Sequence, residues 1–157
     1  MTVSAKFDHT VETVFKVLTD PDFLVERNLA IGEISAEYDK QEEGEEITLL
    51  AVRKVRRSLP GVLAKVFDPV NIMDMTETWY ADGDGWSGDW SLGVRGQPVT
   101  VTGHFELVPS GSGCQYSVSH KAKAKIPLFG GKIEKYILGQ TSDGATDELE
   151  YLRKHLA

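Results

Sequence analysis

The chain has 157 residues and a formal net charge of −7, and hydrophobic residues make up 41% of it. This length fits one domain over residues 1–157 that is large enough to bury a core and a ligand pocket. The acidic balance argues against nucleic acid as a partner, because phosphate binding requires a surplus of Lys and Arg on one face.

The N-terminal sequence and the cysteine and histidine content bear on location and cofactors. Met1–Asp8 has no apolar segment of signal-peptide length, and no later run reaches the roughly eighteen residues of a membrane span. We therefore expect a soluble, cytoplasmic protein. Cys114 is the single cysteine and cannot form an internal disulfide, and the four histidines lack paired ligand spacing, so we expect no metal and no cofactor.

The start of the chain predicts one strand and two short helices. Apolar and polar residues alternate over 3–7, which is typical of a strand with one wet face. Thr10 is a suitable N-cap for a helix whose apolar positions follow over 11–18. Asp20 repeats this start signal before a proline, so a second short helix is expected from Asp22 to Leu29.

The middle of the chain predicts six strands joined by short turns. The acidic run 42–46 is interpreted as a solvated hairpin turn, and the segment 60–67 as a short helix or an ordered loop. The predicted strands begin at Glu33 and continue as Ile47–Arg56, Asn71–Ala81, Gly85–Val94, Pro98–Pro109 and Gly113–Ile126.

The end of the chain predicts a long helix with a narrow middle. From Lys132 onward, apolar or small residues recur at steps of three and four. The ends of this stripe carry Ile and Leu, whereas its middle carries Thr141, Gly144 and Ala145. Glycine inside a helix costs about 1 kcal/mol relative to alanine, so the presence of Gly139 and Gly144 in this helix requires an explanation. Either a neighbouring element approaches closely there, or the helix borders a cavity beneath a sheet.

These elements predict an α+β fold. Strands joined by short turns form an antiparallel sheet, and the apolar face of that sheet must be covered. The final helix is the available cover. We therefore predict a helix-grip arrangement, in which a curved antiparallel sheet of about seven strands with two short helices packs around a long C-terminal helix. Gly88, Gly93 and Gly103 are positions where the sheet could bend or form a bulge.

Several motifs occur in an order that is found in a known group of proteins. They are Phe7, Val14-Phe15 with Leu18, Asp20-Pro21, Glu77-x-Trp79, and Ile126–Glu134 before the final helix. This order resembles the START-like superfamily (SRPBCC, helix-grip), which includes lipid-transfer proteins, polyketide cyclases and aromatases, and pollen allergens. The segment 126–134 is most similar to an uncharacterised bacterial branch, a domain of unknown function. The resemblance implies a deep apolar pocket between sheet and final helix that holds a hydrophobic ligand, and it implies no particular reaction.

Alternation along the strands indicates which side chains would face such a pocket. Glu77 shares a face with methionine and tryptophan residues, and a buried carboxylate needs a partner or a raised pKa. Arg53 on the neighbouring strand is the partner that we predict. His120 either hydrogen-bonds within the core or orients a ligand. The candidate ligand-binding residues are His120, Glu77, Arg53, Met73, Met75, Trp79, Trp90, Phe105, Tyr116, Thr141 and Ala145; no catalytic or metal-binding residue is predicted.

The sequence leaves three functions open. Binding or carriage of a hydrophobic small molecule (lipid, sterol or polyketide-like) is favoured, because no catalytic triad, metal set, phosphate loop or cofactor fingerprint is present. A polyketide cyclase or aromatase would require His120, Glu77 and Arg53 to converge. A filled core would instead indicate a protein-interaction domain without a ligand. We expect a monomer or a weak dimer.

A basic stripe suggests one further partner. Exposed lysines are expected on both sides of the apolar segment 127–129, at Lys121, Lys123, Lys125, Lys132 and Lys135. The stripe is either a solvated face or a surface for transient contact with an anionic membrane, where each lysine contributes about 1 kcal/mol.

Overall fold

The predicted α+β fold is confirmed over residues 1–59, 61–65 and 67–157, which the computed structural model describes. The strands are β1 (Thr2–Phe7), β2 (Ser35–Glu43), β3 (Glu46–Arg56), β4 (Val70–Asp82), β5 (Gly85–Val94), β6 (Val99–Ser110) and β7 (Gly113–Ala124). The helices are α1 (Val11–Leu18), α2 (Pro21–Ala30) and α3 (Gly130–Leu156). A 3-10 helix spans Gly61–Lys65 within the segment predicted as a helix or loop, and Pro60 and Val66 lie outside the described residues.

The strands form one antiparallel sheet in the order β1-β7-β6-β5-β4-β3-β2. The hairpin succession predicted from the turn sequences places each strand from β2 to β7 beside the next one. Pairing runs without a break through Gly88, Gly93 and Gly103, so the bulges considered at these positions do not form. The unbroken register keeps alternate side chains on one inner face along each strand.

The two short helices begin where the sequence predicted. The Thr10 hydroxyl accepts a hydrogen bond from the backbone N–H of Thr13 at 3.2 Å, and the Asp20 carboxylate accepts one from Asp22 at 3.0 Å. Each cap satisfies an N–H group that has no partner within the helix. Pro21 is the first residue of α2, where its fixed φ is already helical.

Helix α3 is anchored at both ends by separate apolar clusters. Leu149 and Leu152 belong to the large cluster that joins α1, α2 and the sheet. Ile133 belongs to a second cluster with Val99 and Ala124. Small residues fill the middle of the helix between these anchors. The helix packs against β7 and β1, and its middle lies beside a cavity lined by residues of β3 to β7.

Candidate functional site

A cavity of about 130 Å³ separates the inner face of the sheet from the middle of α3. On the helix side, Gly144 leaves space, because a Cβ built there would meet no atom within 4 Å. An apolar cavity of about 150 Å³ is known to hold benzene, so this volume accommodates one ring or a short chain. The apolar wall of the sheet is formed by Val55, Met73, Met75, Trp79, Trp90, Leu92, Val94, Val101, Phe105 and Val118.

All of the predicted ligand-binding residues except His120 line this cavity. Those that do are Arg53, Met73, Met75, Glu77, Trp79, Trp90, Phe105, Tyr116, Thr141 and Ala145. His120 Nε2 instead lies 2.9 Å from the Ser142 hydroxyl, so this histidine connects β7 with α3. Burial and the neighbouring N-terminal ammonium group lower the pKa of His120, which favours the neutral imidazole.

The three polar side chains required by the cyclase hypothesis do not converge. Glu77 pairs with Trp90 across the sheet, Trp90 with Gly103, and Gly103 with His120. Three strand spacings, or roughly 14 Å, therefore separate the backbones of Glu77 and His120. The Trp90 indole lies over Gly103, where an added Cβ would overlap the ring, and thus occupies the intervening space.

Two buried arginines share one carboxylate at the inner end of the cavity. Arg53 donates from Nε to Glu33 at 3.1 Å, and its Nη2 lies 3.1 Å from Glu148 Oε1. Arg27 Nη2 lies 3.2 Å from the same Glu148 oxygen. Burial raises the pKa of Glu148, but the two guanidinium groups outweigh that effect and hold it below its usual range. Glu148 is therefore ionised and connects α2, β3 and α3.

The predicted ion pair between Arg53 and Glu77 is wrong. Arg53 lies opposite Met73 and Glu77 opposite Leu49, so the two charged residues are offset by four positions, or about 13 Å, along the strands. Arg53 reaches Glu33 and Glu148 instead. These carboxylates come from the segment before β2 and from α3, which strand alternation alone could not place beside Arg53.

Glu77 is buried outside this ion-pair network. It is 4% exposed, and its carboxylate accepts a hydrogen bond from Trp79 Nε1 at 3.4 Å. Burial raises the pKa of Glu77 to about 7, and the positive charge of Arg27 offsets this effect only in part. The carboxyl group is therefore partly protonated at neutral pH and can donate a hydrogen bond as well as accept one.

One buried donor in the cavity wall has no acceptor. Trp90 is 6% exposed, and its Nε1 makes no hydrogen bond within the described part of the chain. A buried donor without a partner costs about 1–3 kcal/mol.

Polar residues line the end of the cavity that is far from Glu77. We call this end the mouth. Arg57 Nη1 donates to Gln140 Oε1 at 2.7 Å, and the Tyr136 hydroxyl donates to the Ser58 carbonyl at 3.2 Å. These two hydrogen bonds connect the segment after β3 with α3. They attach this part of α3 to the sheet through polar groups, whereas apolar contacts attach the two ends of the helix.

Some lining residues were missed although the sequence carries a signal for them. Arg57 continues the every-second-residue pattern of Arg53, and Glu148 follows Ala145 on the same face of α3. Arg27 had no comparable signal. It lies in a short helix whose buried positions combine Phe23 and Leu24 with the polar Arg27 and Asn28, so apolar periodicity could not mark it.

The segment before α3 is exposed. Leu128 is 97% exposed with φ 68°, and Phe129 is 38% exposed. The lysines that flank this segment, at positions 121, 123, 125, 132 and 135, are also exposed. The arrangement puts apolar and basic groups side by side, and contact with an anionic membrane stays a prediction.

Within residues 1–59, 61–65 and 67–157, three observations concern membrane-spanning helices, metal sites and the cysteine thiol. None of the helices there combines the length and apolar character needed to cross a bilayer. No group of three or more His, Cys, Asp or Glu side chains is placed to hold a metal ion. Cys114 is buried, and burial raises the pKa of its thiol, so the less reactive protonated form is favoured.

Sequence comparison places the chain in a family. A family model described as "Protein of unknown function (DUF2505)" matches residues 2–156. The chain belongs to the DUF2505 family. A search of curated proteins gives no match.

Solved structures share the fold of this DUF2505 protein at low sequence identity. The protein TTHA0849 of Thermus thermophilus is 15% identical with a TM-score of 0.66, and the match covers 99% of this chain and 95% of that one. A START superfamily protein of Mycobacterium smegmatis is 13% identical with a TM-score of 0.64, covering 100% and 98%. An uncharacterised protein of Rhizobium leguminosarum is 10% identical with a TM-score of 0.62, covering 99% and 92%. The predicted resemblance to the START-like superfamily is confirmed at the level of the fold.

Removing the charge of Glu148 should destabilise the protein. In Glu148→Gln, the guanidinium groups of Arg27 and Arg53 lose their shared carboxylate, and breaking a buried pair from one side costs about 3 kcal/mol. Urea unfolding measures the change. Glu150→Gln removes an exposed carboxylate from the same helix and should change the free energy of unfolding by less than about 0.5 kcal/mol. Equal effects of the two substitutions would contradict the shared-carboxylate network.

Replacing Glu77 should make the stability less sensitive to pH. The native pKa is raised above the unfolded value, so the folded state retains the proton longer and Glu77 lowers stability as pH rises through the window from about 4.5 to 7. Glu77→Gln has no proton to lose. Its free energy of unfolding should therefore improve relative to wild type by about 2 kcal/mol between roughly pH 5 and pH 8, measured by urea unfolding.

The exposed carboxylate of Glu37 provides the control for this titration. Glu37→Gln should follow the wild-type pH dependence, because this side chain is exposed on the outer face of β2. A Glu77→Gln variant that also follows wild type would show that Glu77 is ionised throughout this pH range.

Proposed function

We propose that this DUF2505 protein binds a small hydrophobic molecule between its sheet and α3. The cavity beside Gly144 is the observation that carries the proposal. At about 24 cal/mol per Å³, apolar contacts that fill a cavity of 130 Å³ are worth about 3 kcal/mol. A bound molecule would recover that energy through contacts with the apolar wall.

The cavity wall suits an aromatic or aliphatic guest with one polar atom. Met73 and Met75 have flexible side chains that can adapt to the shape of a ligand. The stacked rings of Trp79 and Phe105, with centroids 4.8 Å apart, form a flat surface. The carboxyl group of Glu77 could bond a polar atom at the inner end. A lipid or sterol would need the mouth to open further, because it exceeds the present volume.

The two alternatives have less support. A cyclase needs His120 to meet Glu77 and Arg53 on a substrate, and His120 bonds Ser142 outside the cavity lining. A protein-interaction domain without a ligand is expected to have a filled core, whereas this protein has a cavity beside α3.

Filling the cavity should abolish binding. In Gly144→Leu, the new side chain occupies the space in which no atom lies within 4 Å, so binding of 2-phenylethanol, measured by isothermal titration calorimetry, should fall at least about tenfold. The same change also removes a helix-interior glycine and should raise the thermal stability.

Gly139→Leu is the matched control. A Cβ added at Gly139 would also meet no atom within 4 Å, as at Gly144, but Gly139 does not line the cavity. It should gain helix stability and keep wild-type affinity. If wild type does not bind the alcohol, or if both variants bind it like wild type, the proposed site is wrong.

A further inference from the structure

We infer that the ligand of this cavity is an amphiphile with a carboxylate group, and that this group binds Arg57 at the mouth while the apolar body extends inward. The inference rests on the proposed function and adds the charge and the orientation of the ligand. It follows from the one difference between Arg57 and the other two cavity-lining arginines.

Arg57 is a cavity-lining cation without an anion. Arg27 and Arg53 each lie within 3.2 Å of a Glu148 oxygen, and Arg53 also bonds Glu33. Arg57 bonds only the neutral amide of Gln140, and within the described residues no carboxylate lies within salt-bridge distance of it. The inner charges are thus balanced in the protein itself, whereas the charge at the mouth is not.

The surroundings of Arg57 favour an added anion. Burial lowers the pKa of its guanidinium group, and the charge of Glu33, which makes no ion pair with Arg57, offsets this effect only in part. The hydrogen bond to Gln140 uses Nη1 and leaves the edge formed by Nε and Nη2 without a partner among the described residues. That edge presents two parallel N–H groups, the arrangement that binds a carboxylate through both oxygens.

The position of Arg57 directly after β3 sets the orientation of the ligand. Arg53 lies four residues earlier and Leu49, opposite Glu77, eight residues earlier, so about 13 to 26 Å of strand separates the groups at the inner end from the mouth. The wall between them is apolar, with Met73, Met75 and Leu92. A charged group at the mouth stays close to water, and its desolvation costs less than it would at the inner end.

A matched pair of ligands tests the inference. Calorimetric titration of wild type should show phenylacetate binding at least about tenfold more tightly than 2-phenylethanol, because the two share the apolar body and differ in charge. The preference should decrease as salt increases. In Arg57→Gln the preference should disappear, with the affinity for the alcohol retained, and Arg57→Lys should keep part of it.

Arg56→Gln serves as the control, since Arg56 is the exposed neighbouring cation and its loss should leave the preference unchanged. Equal or tighter binding of the alcohol by wild type, or a preference that survives in Arg57→Gln, would overturn the inference and leave the proposed function intact. An equal loss of both ligands in Arg57→Gln would assign Arg57 a structural role and also overturn it. Failure of wild type to bind either ligand would overturn the proposed function, and the inference with it.

Discussion

The contact of Glu148 with both Arg27 and Arg53 determines where α3 can lie above the sheet. These three side chains come from α3, α2 and β3, and burying their charges is favourable only if all of them meet. The network fixes one part of the helix, and Ile133 in the second apolar cluster fixes its start. Between these two anchors the helix carries Thr141, Gly144 and Ala145, which are too small to reach the sheet. The cavity is a consequence of this arrangement.

The sequence predicted the frame of the molecule well, because the frame depends on local periodicity. Thr10 and Asp20 mark the two helix starts through their own backbone contacts, and turn sequences of hairpin length joined the strands in their observed order. The small residues in the middle of α3 predicted either the close approach of a neighbouring element or a cavity. At Gly144 the second alternative holds, because no atom lies close to this glycine and it borders a cavity.

The polar contacts could not be predicted in the same way, since they join residues that are distant in the sequence. Arg53 was assigned to Glu77 because the two share the inner face of adjacent strands. Only the register shows that they are offset, and only the packing of α3 brings Glu148 to Arg53. His120 was correctly placed on the inner face, but the path of α3 puts Ser142 beside it.

The two ends of the cavity differ in chemistry, and this difference gives a ligand a direction. The inner end has a charge-balanced ion network and the weakly acidic Glu77, and the mouth has a cation bonded only to Gln140. Solved structures of this fold have identities of 10–15% with the chain in the three cases compared above, so they support the architecture and leave the ligand to be inferred from these side chains.

Xenon binding to crystals of the protein tests the central claim most directly, because xenon enters apolar cavities whatever their natural ligand. The account predicts a xenon atom beside Gly144, in contact with Met75 and Phe105, that is absent from crystals of Gly144→Leu. A gap filled by Trp90, Phe105 or Met75, with no xenon between α3 and the sheet, would contradict it.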